Sequence, residues 1–132
     1  MNEQNERLAL WHRVVFARDG AALEALLAPD VRFRSPFFWK AKEGVALIGA
    51  ILRAATDVFS DFTYQREWLD GNDWALEFSA KVGDLSVKGI DLIRWNEAGQ
   101  IVEFEVLVRP ANGLQALGVA MAVRLAEAGV VL

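Results

Sequence analysis

The stretch from Ser86 to Pro110, SVKGIDLIRWNEAGQIVEFEVLVRP, constrains this chain more than any other. Two runs that alternate in polarity or are rich in β-branched residues flank Asn96-Glu97-Ala98-Gly99, a connection whose glycine can take a positive φ, so the segment predicts two antiparallel strands in a hairpin. Side chains along a strand repeat every two residues. Leu85, Val87, Gly89, Asp91, Ile93 and Trp95 therefore share a face of the first strand. On the second, Val102, Phe104, Val106 and Val108 form an apolar row, with Glu103, Glu105 and Arg109 turned the other way. One carboxylate, Asp91, stands in an apolar row. Burial there disfavours its charged form and raises its pKa, which makes Asp91 the first candidate for chemistry.

Upstream, Leu8, Trp11 and Val15 recur at three- and four-residue steps between Asn5 and Arg18, predicting a helix with one buried stripe. Asp19 suits the N-cap of a short second helix, Ala21 to Ala28, with Pro29 as its stop. Val31 to Ser35 alternates, so Val31, Phe33 and Ser35 face inward and Arg32 and Arg34 face water. Pro36 ends that strand. The aromatics that follow, Phe37, Phe38 and Trp39, either plug the open end of the core or rim a ligand site. Glu43 to Asp57 reads as a third helix with Val45, Ile48, Leu52 and Ala55 on one face.

Phe62 to Leu69 and Trp74 to Val82 add two strands around the turn Asp70 to Asp73, with Phe62, Tyr64 and Trp68 sharing a face of the first. Four antiparallel strands in succession, each apolar on one face, predict a curved sheet whose concave side the three helices cover, an α+β half-barrel. The last segment, Ala111 to Leu132, reads as a helix with Leu114, Leu117, Met121 and Leu125 on one side and Ala116, Val119, Ala120 and Val123 over much of the rest. So apolar a helix needs cover, from a second subunit or from the outer face of its own sheet, and a homodimer is the expectation.

Composition narrows the function. At 132 residues, with no linker, repeat or low-complexity segment, one domain spanning 1–132 is expected. A net charge of −4 with 14 scattered Lys and Arg argues against nucleic acid as a partner. The absence of cysteine excludes disulfides and thiolate chemistry. With His12 as the one histidine and no converging carboxylates, neither a metal nor another cofactor is expected. The start, MNEQNERLALWHRVV, lacks the basic and apolar regions of a signal peptide. The longest apolar runs, Gly44 to Leu52 and Ala116 to Val123, fall far short of the ~20 residues that span a bilayer. A cytoplasmic protein with neither a membrane segment nor a membrane as partner is the expectation.

In element order and in the patterns ARDGAALEALLAPDVRFRSP and GIDLIRWNEAGQIVEFEV, the chain resembles the SnoaL-like polyketide cyclases and ketosteroid isomerases of the NTF2-like superfamily, from Leu8 to about Arg109. The resemblance implies a cone-shaped fold, a curved antiparallel sheet closed by helices around a ligand cavity. It also implies that Asp91 falls where the steroid isomerases keep the neutral carboxylic acid of their oxyanion hole. The family's general base, an aspartate before a proline, corresponds to Ser35 before Pro36, and its first-helix tyrosine to Trp11. A hydroxyl is no carbon base at neutral pH and an indole is a donor but no acid, so steroid isomerisation by the family's route is not expected.

If strand parity holds, Trp11, Val15, Phe33, Phe37, Trp74, Phe78, Ile93, Phe104, Val106 and Val108 wall a pocket with Ser35 and Asp91 as its polar points. Such a pocket suits a small, mostly apolar molecule with one polar group. Two functions fit: an isomerase, cyclase or dehydratase acting on a small cyclic ketone or polyketide-like compound through Asp91, or a non-catalytic binding or dimerisation domain. Asp91 either orients the ligand as a proton donor or accepts hydrogen bonds from neighbours such as Trp11 and fixes the core. His12 projects roughly 100° from Trp11 and is expected in a surface or helix-contact role. Glu103 and Glu105, with Arg94 and Arg109 at hand, suit cross-strand pairing or a dimer face.

Overall fold

The computed structural model describes residues 3–131, and among these the order is α1 (Glu3–Phe16), α2 (Gly20–Ala25), β1 (Leu27–Arg34), β2 (Lys42–Glu43), α3 (Val45–Val58), β3 (Ser60–Asp70), β4 (Asp73–Val82), β5 (Leu85–Trp95), β6 (Ile101–Arg109) and α4 (Ala111–Glu127). Met1, Asn2 and Leu132, the outer ends of the expected terminal segments, lie outside the described residues. The strands form one sheet in the order β2-β1-β6-β5-β4-β3. Strands β3 to β6 pair antiparallel as alternation predicts, while β1 joins β6 in parallel, so the sheet is antiparallel except at that pair.

The central hairpin sets the rest. Gly99 takes φ +79 in the β5–β6 connection, and the register brings Asp91 opposite Val106 and Ile93 opposite Phe104. Val87, Gly89, Asp91, Ile93 and Trp95 are buried on the concave face, whereas Leu85, at the strand's start, is exposed. On β4 the buried Trp74, Leu76, Phe78, Ala80 and Val82 continue that face. Gly89 is small for a reason: a Cβ there would fall 2.4 Å from the Phe78 ring and from the Leu107 carbonyl. Helix α3, buried along Ile48, Ile51 and Leu52, packs against α2, β1 and α4.

Strand bulges correct the expected parity twice. In β3, Tyr64 pairs with Phe78 and Glu67 with Leu76, three residues against two, and the extra residue turns the following side chains over. Phe62 and Tyr64 thus face the core as expected, but Glu67 turns to α1 and Trp68 to the convex face. In β6, Trp95 pairs with Ile101 and Arg94 with Glu103, so Ile101, fully buried, takes the place expected for Val102.

The second helix is shorter than expected. Asp19 caps it, its carboxylate accepting from the Ala22 N–H at 3.1 Å, but it ends at Ala25, and Pro29 lies within β1 instead of stopping a helix. Pro29 is exposed where the β1–β6 register shifts between Leu27 and Arg32, a place where a missing N–H breaks no ladder bond. Helix α4 does not lie on the outer face of the sheet. It folds back against α3, β4, β5 and β6, burying Gly113, Leu117, Met121 and Leu125, while Val119 and Val123 stay exposed.

The convex face carries charge pairs. Arg66 grips the buried Glu77 with two hydrogen bonds, 2.9 Å to Oε1 and 2.6 Å to Oε2, which holds that carboxyl down to about 2 against the opposing effect of burial. Arg94 pairs across strands with Glu103, as expected, and with Asp73.

Candidate functional site

A cavity of about 440 Å³ opens between the concave face of the sheet and α1, α3, α4 and the loop after β1. It exists because the cone is packed tight at one end and left wide at the other. Trp11, Trp74 and Trp95 fill the narrow end, with ring centroids 6.3 Å apart for Trp11 and Trp95 and 5.0 Å for Trp74 and Trp95. At the wide end, Phe59, Phe62 and Phe78 on one side and Leu117, Met121 and Leu125 of α4 on the other stand around open space.

Of the residues expected to wall the pocket, Trp11, Val15, Phe33, Ser35, Phe37, Phe78, Asp91, Phe104 and Val106 line this cavity. Trp74, Ile93 and Val108 do not. Trp74 and Ile93 share the inward parity but belong to the filled narrow end, and Val108, opposite Gly89, packs into the core beside α4 rather than on the cavity wall. Parity gives the face of a sheet and not the depth along it.

Asp91 is 7% exposed and its polar surroundings are few. Tyr64 donates from Oη to Asp91 Oδ2 at 3.0 Å, and Trp11 donates from Nε1 to Tyr64 Oη at 2.9 Å. An indole N–H only donates, so the chain runs one way: Tyr64 takes the indole proton's hydrogen bond and passes its own to the carboxyl. The partner expected for Asp91 was Trp11, and the structure inserts Tyr64 between them. Burial pushes the Asp91 carboxyl up to about 7, with the Tyr64 hydrogen bond acting in the opposite direction. The Tyr64 phenol is driven well above its usual 10, by burial first and then by the Asp91 charge, which keeps it a donor at neutral pH. Among the described residues no other group bonds Asp91, which leaves Oδ1 to whatever enters the cavity.

Ser35 lines the cavity, but its Oγ accepts from the Phe37 and Phe38 N–H groups at 3.1 and 3.2 Å, so it shapes the loop after β1. His12 makes a helix-to-strand contact, its Nε2 2.5 Å from Glu67 Oε2, and its ring stacks on Tyr64 with centroids 5.3 Å apart. That pair braces the phenol from behind. Among the described residues no cluster of His, Cys, Asp or Glu could hold a metal.

Sequence reasoning missed Tyr64 as a site residue, together with the α4 side chains and the rim residues Arg18, Lys42 and Asp61. The signal for Tyr64 was present, since this is the chain's one tyrosine and it stands on the inward row two strands from Asp91. Nothing in helical periodicity could tell which apolar surface α4 would cover.

The sequence pattern of the SnoaL-like domain matches residues 8–104. Among solved structures, a steroid delta-isomerase from Pseudomonas aeruginosa is 47% identical with a TM-score of 0.89, over 94% of this chain and 92% of that one. A protein with a cystatin-like fold from Silicibacter pomeroyi is 43% identical with a TM-score of 0.86, over 91% of this chain and 85% of that one. A de novo designed protein with a curved β-sheet, 17% identical, shares the fold alone, with a TM-score of 0.71 over 89% of this chain and 98% of that one. No curated protein matches the chain. The matched span, the cone of strands and the two similar structures agree, and the chain belongs to the SnoaL-like family of the NTF2-like superfamily.

Proposed function

We propose that this protein binds a small, mostly apolar carbonyl compound, a cyclic ketone or polyketide-like molecule, and that Asp91 donates a proton or hydrogen bond to the carbonyl in an isomerase-type reaction. The observation that carries the reading is the one-way chain from Trp11 through Tyr64 to Asp91 Oδ2 in an otherwise apolar wall. Because Oδ2 is already accepting, the proton of the neutral acid belongs on Oδ1, the oxygen left for a ligand. A donor in an apolar cavity stabilises negative charge growing on a carbonyl oxygen, the charge that appears when an enolate forms; the carbon-bound proton must then go to a base other than Ser35, and among the described residues Asp61 is the further carboxylate lining the cavity. The 47% identical steroid delta-isomerase supports the same class of chemistry.

A second reading, binding without turnover, is favoured by Ser35. Its oxygen is held by two backbone N–H groups, and a hydroxyl in that state takes no proton from carbon. Turnover of a fused-ring ketone separates the two readings, while binding is common to both. The protein is further proposed to act as one domain, in the cytoplasm and as a homodimer. Support for pairing comes from Trp68, Leu92 and Leu107, exposed on the convex face. Among the described residues no helix is long and apolar enough to cross a membrane.

The test is calorimetric binding of fused-ring ketones and their carbonyl-free analogues at about pH 5 and about pH 9, on either side of the carboxyl's midpoint. Wild type should bind the ketone more tightly at the lower pH and discriminate against the hydrocarbon. Asp91→Asn, which keeps a donor and an acceptor in place, should bind equally at both. Asp91→Leu should lose about tenfold or more. Equal ketone affinity for wild type at both pH values, or wild-type affinity in Asp91→Leu, would remove Asp91 from the role.

A further inference from the structure

The cavity mouth is ringed by apolar side chains that a water-facing opening does not require. Phe16 and Phe38, both on the wall, are 52% and 49% exposed, and Trp39, next in the chain, is 99% exposed in the loop between β1 and β2. That loop is held in shape by the two bonds to Ser35 Oγ and by the Phe37 ring, which lies against α4 at Gly118, where a Cβ would come 3.1 Å from it. Two exposed phenyl rings on the cavity wall and an exposed indole next in the chain to one of them leave apolar surface at this opening, and such surface marks contact sites.

The charge around the rim names the contact. From Pro36 to Lys42 the chain carries Lys40 and Lys42 and no acid, although the whole protein has a net charge of −4. The Lys42 ammonium sits 4.8 Å from the Phe38 ring centroid, and Arg18 adds a cation on the same mouth, against Asp61 there and Glu43 beside it, which faces Arg32 at 3.6 Å. Tryptophan with lysines beside apolar rings is the composition that settles at the headgroup layer of a bilayer, rings toward the acyl chains and ammonium groups among the phosphates. A ligand that fits an apolar cavity also partitions into lipid. A mouth seated on a membrane would take it up without passage through water.

We propose that the loop from Pro36 to Lys42 docks the cavity mouth on an anionic lipid surface, with Trp39 as the inserted anchor and Lys40 and Lys42 as headgroup contacts. The purpose of this docking rests on the cavity being a ligand site, but vesicle binding and ligand uptake are read separately.

The test uses the full chain with vesicles of phosphatidylcholine, alone and mixed with phosphatidylglycerol, read by flotation and by tryptophan emission. Wild type should float with the mixed vesicles, bind them less as salt rises, and show emission moved to the blue. Trp39→Ala should weaken binding at least about tenfold, and Lys40→Gln about fivefold. Trp39→Phe should keep binding and lose the blue shift, because Trp11, Trp74 and Trp95 are buried and Trp68 lies on the opposite face. Uptake of a fused-ring ketone from water should be unchanged in Trp39→Ala, since Trp39 is not on the cavity wall. The proposal is overturned if wild type does not bind mixed vesicles, or if Trp39→Ala binds them as wild type does. A blue shift that survives Trp39→Phe and vanishes in Trp68→Phe also overturns it, by docking the convex face. So does a change of oligomeric mass in Trp39→Ala with vesicle binding intact, which would make the loop a protein contact. Vesicle binding without ketone uptake by wild type would uphold the docking and sink the cavity reading.

Discussion

Among the described residues Asp91 and Glu77 are the two buried carboxylates, and they answer pH in opposite ways because one lacks a cation and the other has one. Asp91 rises to about 7 from the usual carboxylate range, so between about pH 4 and about pH 7 the unfolded chain ionises it and the folded chain does not. Folding therefore loses stability as pH rises through that window, by roughly 4 kcal/mol on an order-of-magnitude basis, and the loss is complete above about pH 7. Glu77, held down to about 2 by Arg66, contributes stability that is present above the usual carboxylate range and disappears as pH falls through that lower value. Urea unfolding of wild type should show stability declining from about pH 4 to about pH 7, and Asp91→Asn should abolish that decline while leaving the acid limb, to which Glu77 contributes. A second prediction concerns Tyr64. Tyr64→Phe strands the Trp11 N–H and removes the bond that favours ionised Asp91, so it should cost about 1–3 kcal/mol and move the Asp91 midpoint upward. Asp91 was legible in the sequence because one charge in a period-two apolar row is conspicuous. The role of Tyr64 was not, because it depends on how far a phenol reaches across two strands.

At the scale of elements, the strands were legible and the helices less so. Alternation over β4, β5 and β6 is strong enough to reveal the curved sheet, and it fails at Glu67, Trp68, Ile101 and Val102, where a bulge adds one residue that no local pattern announces. Pro29 reads as a helix stop in sequence yet sits at an irregular point of β1, since the same missing N–H suits both. Helix α4 carries apolar residues nearly all round, which states that it needs cover and not where; the wide end of the cone supplied it. Its close approach to β5 depends on Gly113, where a Cβ would lie 2.4 Å from Val87 Cγ1. Gly113→Ala should therefore destabilise by about 1–3 kcal/mol in denaturant titration, despite alanine's better helix propensity. An equal or greater stability would mean that α4 is not seated against β5 as described.

For the whole molecule, the two faces of the sheet are built differently. The concave face ends in an apolar cavity with a single donor chain, and the convex face keeps Trp68, Leu92 and Leu107 in view around the Arg66–Glu77 pair. Sedimentation velocity at micromolar concentration should give a dimer, and Leu92→Glu with Leu107→Glu should give a monomer that retains ketone binding. The proposed function turns on Asp91, a buried acid whose carboxyl is pushed up to about 7. Carbon-13 NMR of aspartate-labelled protein, with the resonance assigned by its loss in Asp91→Asn, measures that group directly. The expected midpoint is about 7 in the free protein, moving higher when a fused-ring ketone is bound, because an acceptor favours the protonated form. A midpoint in the ordinary carboxylate range near about 4, or one that the ketone leaves in place, would contradict the proposed function.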